Sequence, residues 1–151
     1  MSSTAIVVGY DGTDGGHAAL DEAIRVAGEL GGSVVVIYAY DKVMSGGELA
    51  DLDAAVRTRG DALLVEAAAT ATAAGIAVTT HFVEGRPADA LVAAGDAADA
   101  RFIVVGSYGE RPLKGALVGS TLYRLIHLAE RPVLVVRIPE ERHTTHLVRI
   151  A

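Results

Sequence analysis

Short runs rich in Val and Ile alternate with Ala-rich stretches along this chain, and that alternation limits the fold more than any other feature. The runs are Ala5–Tyr10, Ser33–Tyr40, Ile76–Val83, Arg101–Val105 and Pro132–Ile138. Several are apolar without a break, as expected of strands covered on both faces in a parallel sheet. β-Branching and bracketing Gly and Pro favour strands over buried helix segments.

The stretches between them read as helices. Asp14–Leu30 places Ala19, Ala23, Val26, Ala27 and Leu30 on one helical face, and Gly31-Gly32 is a stop signal. In Gly47–Ala74, Leu49, Leu52, Val56, Leu63 and Ala67 recur at helical spacing, while Gly60 counts against a single unbroken helix. Pro87 opens a third helix, Pro87–Ala98, from the position where its missing N–H costs nothing. Ser120–Ala129 is the fourth, stopped by Arg131-Pro132. Parallel crossovers are right-handed in about 98% of cases. The order β-α-β-α-β-α-β-α-β therefore predicts an α/β fold: a doubly wound, five-stranded parallel sheet with helices on both faces.

Composition narrows the function classes. At 151 residues, 51% of them apolar, one domain over 1–151 is expected, with residues 139–151 as a polar C-terminal tail ending in a strand-like Leu-Val-Arg-Ile. The chain has no cysteine, which excludes disulfide scaffolds, iron–sulfur clusters and thiol catalysis. A net charge of −6 argues against nucleic acid as a partner. No apolar run approaches the roughly 18 residues of a membrane span, and no secretory signal is visible, so a cytoplasmic protein is expected.

In open α/β sheets ligands bind beyond the carboxyl ends of the strands, where strand order reverses. That points to the turns after the first and fourth strands. The first reads Gly9-Tyr10-Asp11-Gly12-Thr13-Asp14-Gly15-Gly16; the second starts at Gly106-Ser107-Tyr108-Gly109 and closes at Gly119-Ser120-Thr121. A helix N-terminus there would offer open N–H groups to phosphate, with Gly119 leaving room and Ser120 and Thr121 adding hydroxyls. Ser120 reads equally well as an ordinary N-cap.

Gly106-x2-Gly109-x9-Gly119-Ser120 resembles the nucleotide-binding signature of the ATP-binding branch of the universal stress protein family. The opening IVVGYDGT, the block EGRPADAL and the strand RPVLVVR are similar to further blocks of that family. The resemblance implies strand order 3-2-1-4-5 and ATP at the switch point, with magnesium or manganese on its phosphates. It implies that Asp11, with Thr13 beside it, meets the ribose or adenine end, and that Ala39 offers backbone groups to the base. Val105, Gly106, Tyr108 and Gly109 would line ribose and phosphates, and Gly119, Ser120 and Thr121 would hold the phosphates. The family also implies a homodimer, here through the edge strand 132–138, and a stress-response regulator with at most slow hydrolysis. The chain departs from the family between Gly109 and Gly119, where Arg111 and Lys114 remain but Glu110 opposes phosphate and Pro112 stiffens the loop.

Other readings fit less of the chain. Two alternatives stay open: binding of AMP or cyclic AMP, and a metal-dependent ATP hydrolase or transferase using Asp11, although nothing pairs Asp11 with a second acid. Asp41 follows the second strand where a dinucleotide-binding acid would stand, but the first turn lacks G-x-G-x-x-G. His143 and His146 are the only close histidine pair, in the polar tail. Of Tyr38, Tyr40 and Tyr108, at most one is expected to stack on a base. Leu147–Ile150 is expected either to cap the edge strand or to fray.

Overall fold

The computed structural model describes residues 4–41, 50–107 and 119–138. The elements are β1 (Ala5–Gly9), α1 (Asp14–Leu30), β2 (Ser33–Tyr40), α2 (Ala50–Ala73), β3 (Ala77–Glu84), α3 (Pro87–Ala98), β4 (Phe102–Gly106), α4 (Ser120–Leu128) and β5 (Val133–Val136). The strands form one parallel sheet of order β3-β2-β1-β4-β5. The doubly wound architecture follows as expected, with sequence reversal between β1 and β4.

Strand ends differ from the sequence reading by a residue or two. The Ile76 N–H is taken by Ala71 O at 3.0 Å as α2 exits, so it cannot join the ladder, and Pro132 has no N–H to give.

Alternate side chains of each inner strand go to opposite layers. Ile6, Val8, Val34, Val36 and Val104 pack under α1 and α2, while Val7, Ile37, Ile103 and Val105 pack under α3 and α4. Both faces are dry, which accounts for the unbroken apolar runs. β3, an edge strand, alternates exposed and half-buried positions instead.

The buried stripe of α1 is rotated from the expected one. Leu20 and Ile24 are buried beside Ala19, Ala23 and Ala27, whereas Val26 is half-buried and Leu30 is exposed. In α2 the helix runs unbroken through Gly60, contrary to expectation. A Cβ there would lie 2.5 Å from Phe82 Cε2 and 2.8 Å from Tyr38 Cδ1. Gly60 is therefore the point where the helix crosses β2 and β3 closely, and not a break. Among the described residues no helix is long and apolar enough to cross a membrane.

Candidate functional site

A cleft of about 680 Å³ opens above the carboxyl ends of β1, β2 and β4, at the switch point. That size lies within the usual range for small-molecule sites. Of the residues singled out from sequence, it brings together Asp11 from the β1 turn, Ala39 from β2, Val105 and Gly106 from β4, and Gly119, Ser120 and Thr121 from the start of α4. Thr13 is not in its lining. Tyr108 and Gly109 lie outside the described residues, as do Glu110, Arg111, Pro112, Lys114 and the tail with His143 and His146.

The start of α4 decides the chemistry. The N-cap is Gly119, with φ −71° and ψ 162°, and Ser120 is already the first helical residue. Ser120 is thus not the N-cap. A glycine cap has no side chain to give, and among the described residues no side-chain hydrogen bond caps this helix. Its first-turn N–H groups have no intrahelical acceptor. Gly119 itself is not one of these open donors: its N–H goes to Ser107 O at 2.8 Å. Ser107, through its own N–H to Val136 O at 3.1 Å, pins the helix start between β4 and β5. The first-turn amides are those of Ser120, Thr121 and Leu122; among the described residues none of them has a partner, and all three residues line the cleft.

The start of α1 is built the opposite way. Thr13 is its N-cap, and the Thr13 hydroxyl accepts from the Gly16 N–H at 3.1 Å. Asp11 accepts from the Thr13 hydroxyl at 2.5 Å and from the Thr13 N–H at 3.1 Å, both through Oδ1. The Gly16 amide of this helix end is taken by its own chain, and a carboxylate faces it. Among the described residues, the carboxyl end of the sheet therefore carries a helix start with a side-chain cap after β1 and one without after β4.

Gly106 serves the fold at least as directly as a ligand. A Cβ on it would lie 2.8 Å from the backbone oxygen of Gly15, so its bareness lets β4 end against the first turn of α1.

The remaining walls came only from the structure. Leu52, Val56 and Arg59 of α2 close one side, and Pro87 and Leu91 of α3 the other. Leu52 and Val56 read in sequence only as a helix face. Asp41 also lines the cleft, with Oδ2 3.9 Å from the Arg86 Nε. Tyr38 is buried against Phe82, ring centroids 5.3 Å apart, and lines the cleft together with Tyr40. His17 turns away from the cleft onto Tyr10, edge to face at 5.3 Å. The buried Tyr10 hydroxyl donates to Glu66 Oε1 at 3.1 Å, with the His17 Nδ1 3.2 Å away. Burial first, then the Glu66 carboxylate, hold that phenol protonated well above the usual tyrosine range. Among the described residues no group of three His, Cys, Asp or Glu side chains converges to hold a metal ion.

Comparison with known proteins gives the family and the fold. The profile of the universal stress protein family fits residues 3–137. A universal stress protein of Methanocaldococcus jannaschii is 31% identical over 90% of this chain and 83% of its own. One from Mycobacterium tuberculosis is 32% identical over 93% of this chain and 96% of its own. A solved universal stress protein in complex with cAMP superposes with a TM-score of 0.69 at 30% identity, covering 91% of this chain and 98% of that one.

Proposed function

The chain belongs to the universal stress protein family, and we propose that it binds an adenine nucleotide, ATP first among them, as a cytoplasmic, nucleotide-dependent stress-response regulator. The observation that carries this reading is the glycine-capped start of α4, whose open amides line the switch-point cleft. Such a terminus carries about half a positive charge and favours phosphate.

Charge sets the orientation. Asp11 repels phosphate from the β1 side of the cleft, while the charge of Asp41 on the β2 side is offset by Arg86. The anionic end of the ligand therefore goes to Ser120, Thr121 and Leu122, with Gly119 giving it room, and Tyr108 and Gly109 complete this end as the resemblance implies. The sugar hydroxyls fall to Asp11, a carboxylate suited to accept from them. The base lies toward β2, where Ala39 offers backbone groups between Leu52 and Val56 on one side and Leu91 on the other. Magnesium or manganese enters with the phosphates. Hydrolysis is slow at most, because the described lining of the cleft offers no Arg–Lys clamp for a transferring phosphoryl group.

A second reading, a site for AMP or cyclic AMP, is favoured by the cAMP complex of the relative at 30% identity. Mass spectrometry of small molecules released from freshly purified, denatured protein tests the class. Titration calorimetry with ATP, AMP and cyclic AMP then separates the readings: equal affinity for ATP and AMP would mean that the β and γ phosphates are not gripped.

We also propose a homodimer through the edge strand 132–138. Val135 and Ile138 on that edge, and Tyr123, Ile126 and Leu128 on α4, are exposed apolar side chains. A Val-rich strand that has no outer neighbour among the described residues, beside such side chains, favours antiparallel pairing with a second copy.

A further inference from the structure

We propose that Thr13 is a positioning residue that makes the cleft selective for ribose over deoxyribose, by fixing the Asp11 carboxylate from behind. This rests on the nucleotide reading above and names how its sugar subsite works. Asp11 lines the cleft and Thr13 does not, so any effect of Thr13 on a ligand acts through its neighbour. Oδ1 of Asp11 is held by two donors of one residue, the hydroxyl at 2.5 Å and the amide at 3.1 Å. The same hydroxyl is anchored in turn by the Gly16 N–H at 3.1 Å. Gly16 adds a steric term: a Cβ there would fall 2.5 Å from Oδ1, so the carboxylate is seated in space that only glycine leaves.

Among the described residues, Oδ2 accepts no hydrogen bond and is left for a ligand. A carboxylate fixed in this way presents a lone acceptor of defined direction. It rewards a 2′-hydroxyl donor and leaves the acceptor unpaired when that hydroxyl is missing. Without the Thr13 hydroxyl only the backbone amide holds Oδ1, the carboxylate gains freedom to turn toward water or a different donor, and the difference between the two sugars fades.

The test is calorimetric affinity for ATP and 2′-deoxyATP in wild type, Thr13→Val and Thr13→Ser. Wild type is expected to favour ATP by about tenfold or more, the effect of one charge-assisted hydrogen bond. Thr13→Val should bring the two affinities within about twofold of each other, and Thr13→Ser should restore the preference. Since Thr13 also caps α1, Thr13→Asp supplies a variant that keeps a capping acceptor while removing the hydroxyl donor. It should lose the preference as well. A Thr13→Val protein that melts lower and binds both nucleotides more weakly, with the ratio kept, overturns the proposal by showing a purely structural threonine. Equal binding of both sugars by wild type overturns it too, and either result leaves the nucleotide reading standing. A wild type that binds neither overturns both.

Discussion

Gly119→Asp should make the protein more stable and nearly abolish nucleotide binding, two effects of opposite sign from one atom group. Gly119 is the N-cap of α4 in extended backbone, φ −71° and ψ 162°, which any residue adopts without strain. An aspartate at that position can accept from the first-turn amides and complete the cap the wild type lacks. The gain over glycine is a few tenths of a kcal/mol from the cap, rising to about 1 kcal/mol with the helix dipole. For a chain of this size that raises the melting temperature by about 2 °C. The same carboxylate takes the donors meant for phosphate and adds a like charge. Two unit charges about 4 Å apart repel by about 4 kcal/mol at an effective dielectric of 20, roughly a thousandfold in affinity. Allowing for screening, a loss of at least about a hundredfold is expected in calorimetry with ATP. Gly119→Ala, which adds no charge and no acceptor, should lose far less. Affinity unchanged in a well-folded Gly119→Asp protein would refute the placement of the phosphates at α4.

Three further outcomes are expected. Gly60→Ala gains about 1 kcal/mol of helix propensity, but its methyl would lie 2.5 Å from Phe82 and 2.8 Å from Tyr38, which brace each other. Overpacking of about 1–3 kcal/mol wins, and urea denaturation should show a net loss; a gain would show that the rings yield. The raised Tyr10 phenol gives a pH dependence: the folded state keeps its proton while the unfolded chain ionises above about pH 10. The stability advantage of wild type over Tyr10→Phe should be full below that pH and shrink above it, and a difference constant from pH 8 to 11 would contradict the assignment. Val135→Lys, on the exposed β5 edge, should turn a dimer into a monomer in sedimentation; an unchanged dimer would move the interface elsewhere.

Much of this was readable in the sequence because the determinants are local or periodic. β-Branched runs covered on both sides specify buried parallel strands, and helix punctuation by Gly31 and Pro87 falls where the sequence places it, whereas the Thr13 cap came from the structure. What was not legible depends on how elements cross. Gly60 looks like a breaker because sequence shows its cost to the helix and hides the aromatic pair it passes. Leu52 and Val56 become cleft walls only through the path of α2 over the end of β2. The choice between Ser120 and Gly119 as N-cap is a matter of one residue, below the resolution of any pattern, yet it separates a self-satisfied helix from an open one.

The contrast between the two helix starts has a physical consequence beyond either of them. Gly106 lets the end of β4 close on the first turn of α1, so both helix N-termini face one small region at the switch point. Left bare, both would attract anions, and a phosphate group would have two sites to choose between. Asp11 and Thr13 remove that ambiguity: the hydroxyl satisfies one first-turn donor of α1, and the carboxylate places negative charge where that helix dipole is positive. The charge that stabilises α1 is the same charge that turns phosphate away from β1. Anion attraction is thereby confined to α4, where glycine at the cap withholds any competing oxygen. Direction along the cleft is set by which helix is capped, and exchanging the two caps, with threonine at 119 and glycine at 13, would weaken the preference for phosphate at α4 without moving a strand.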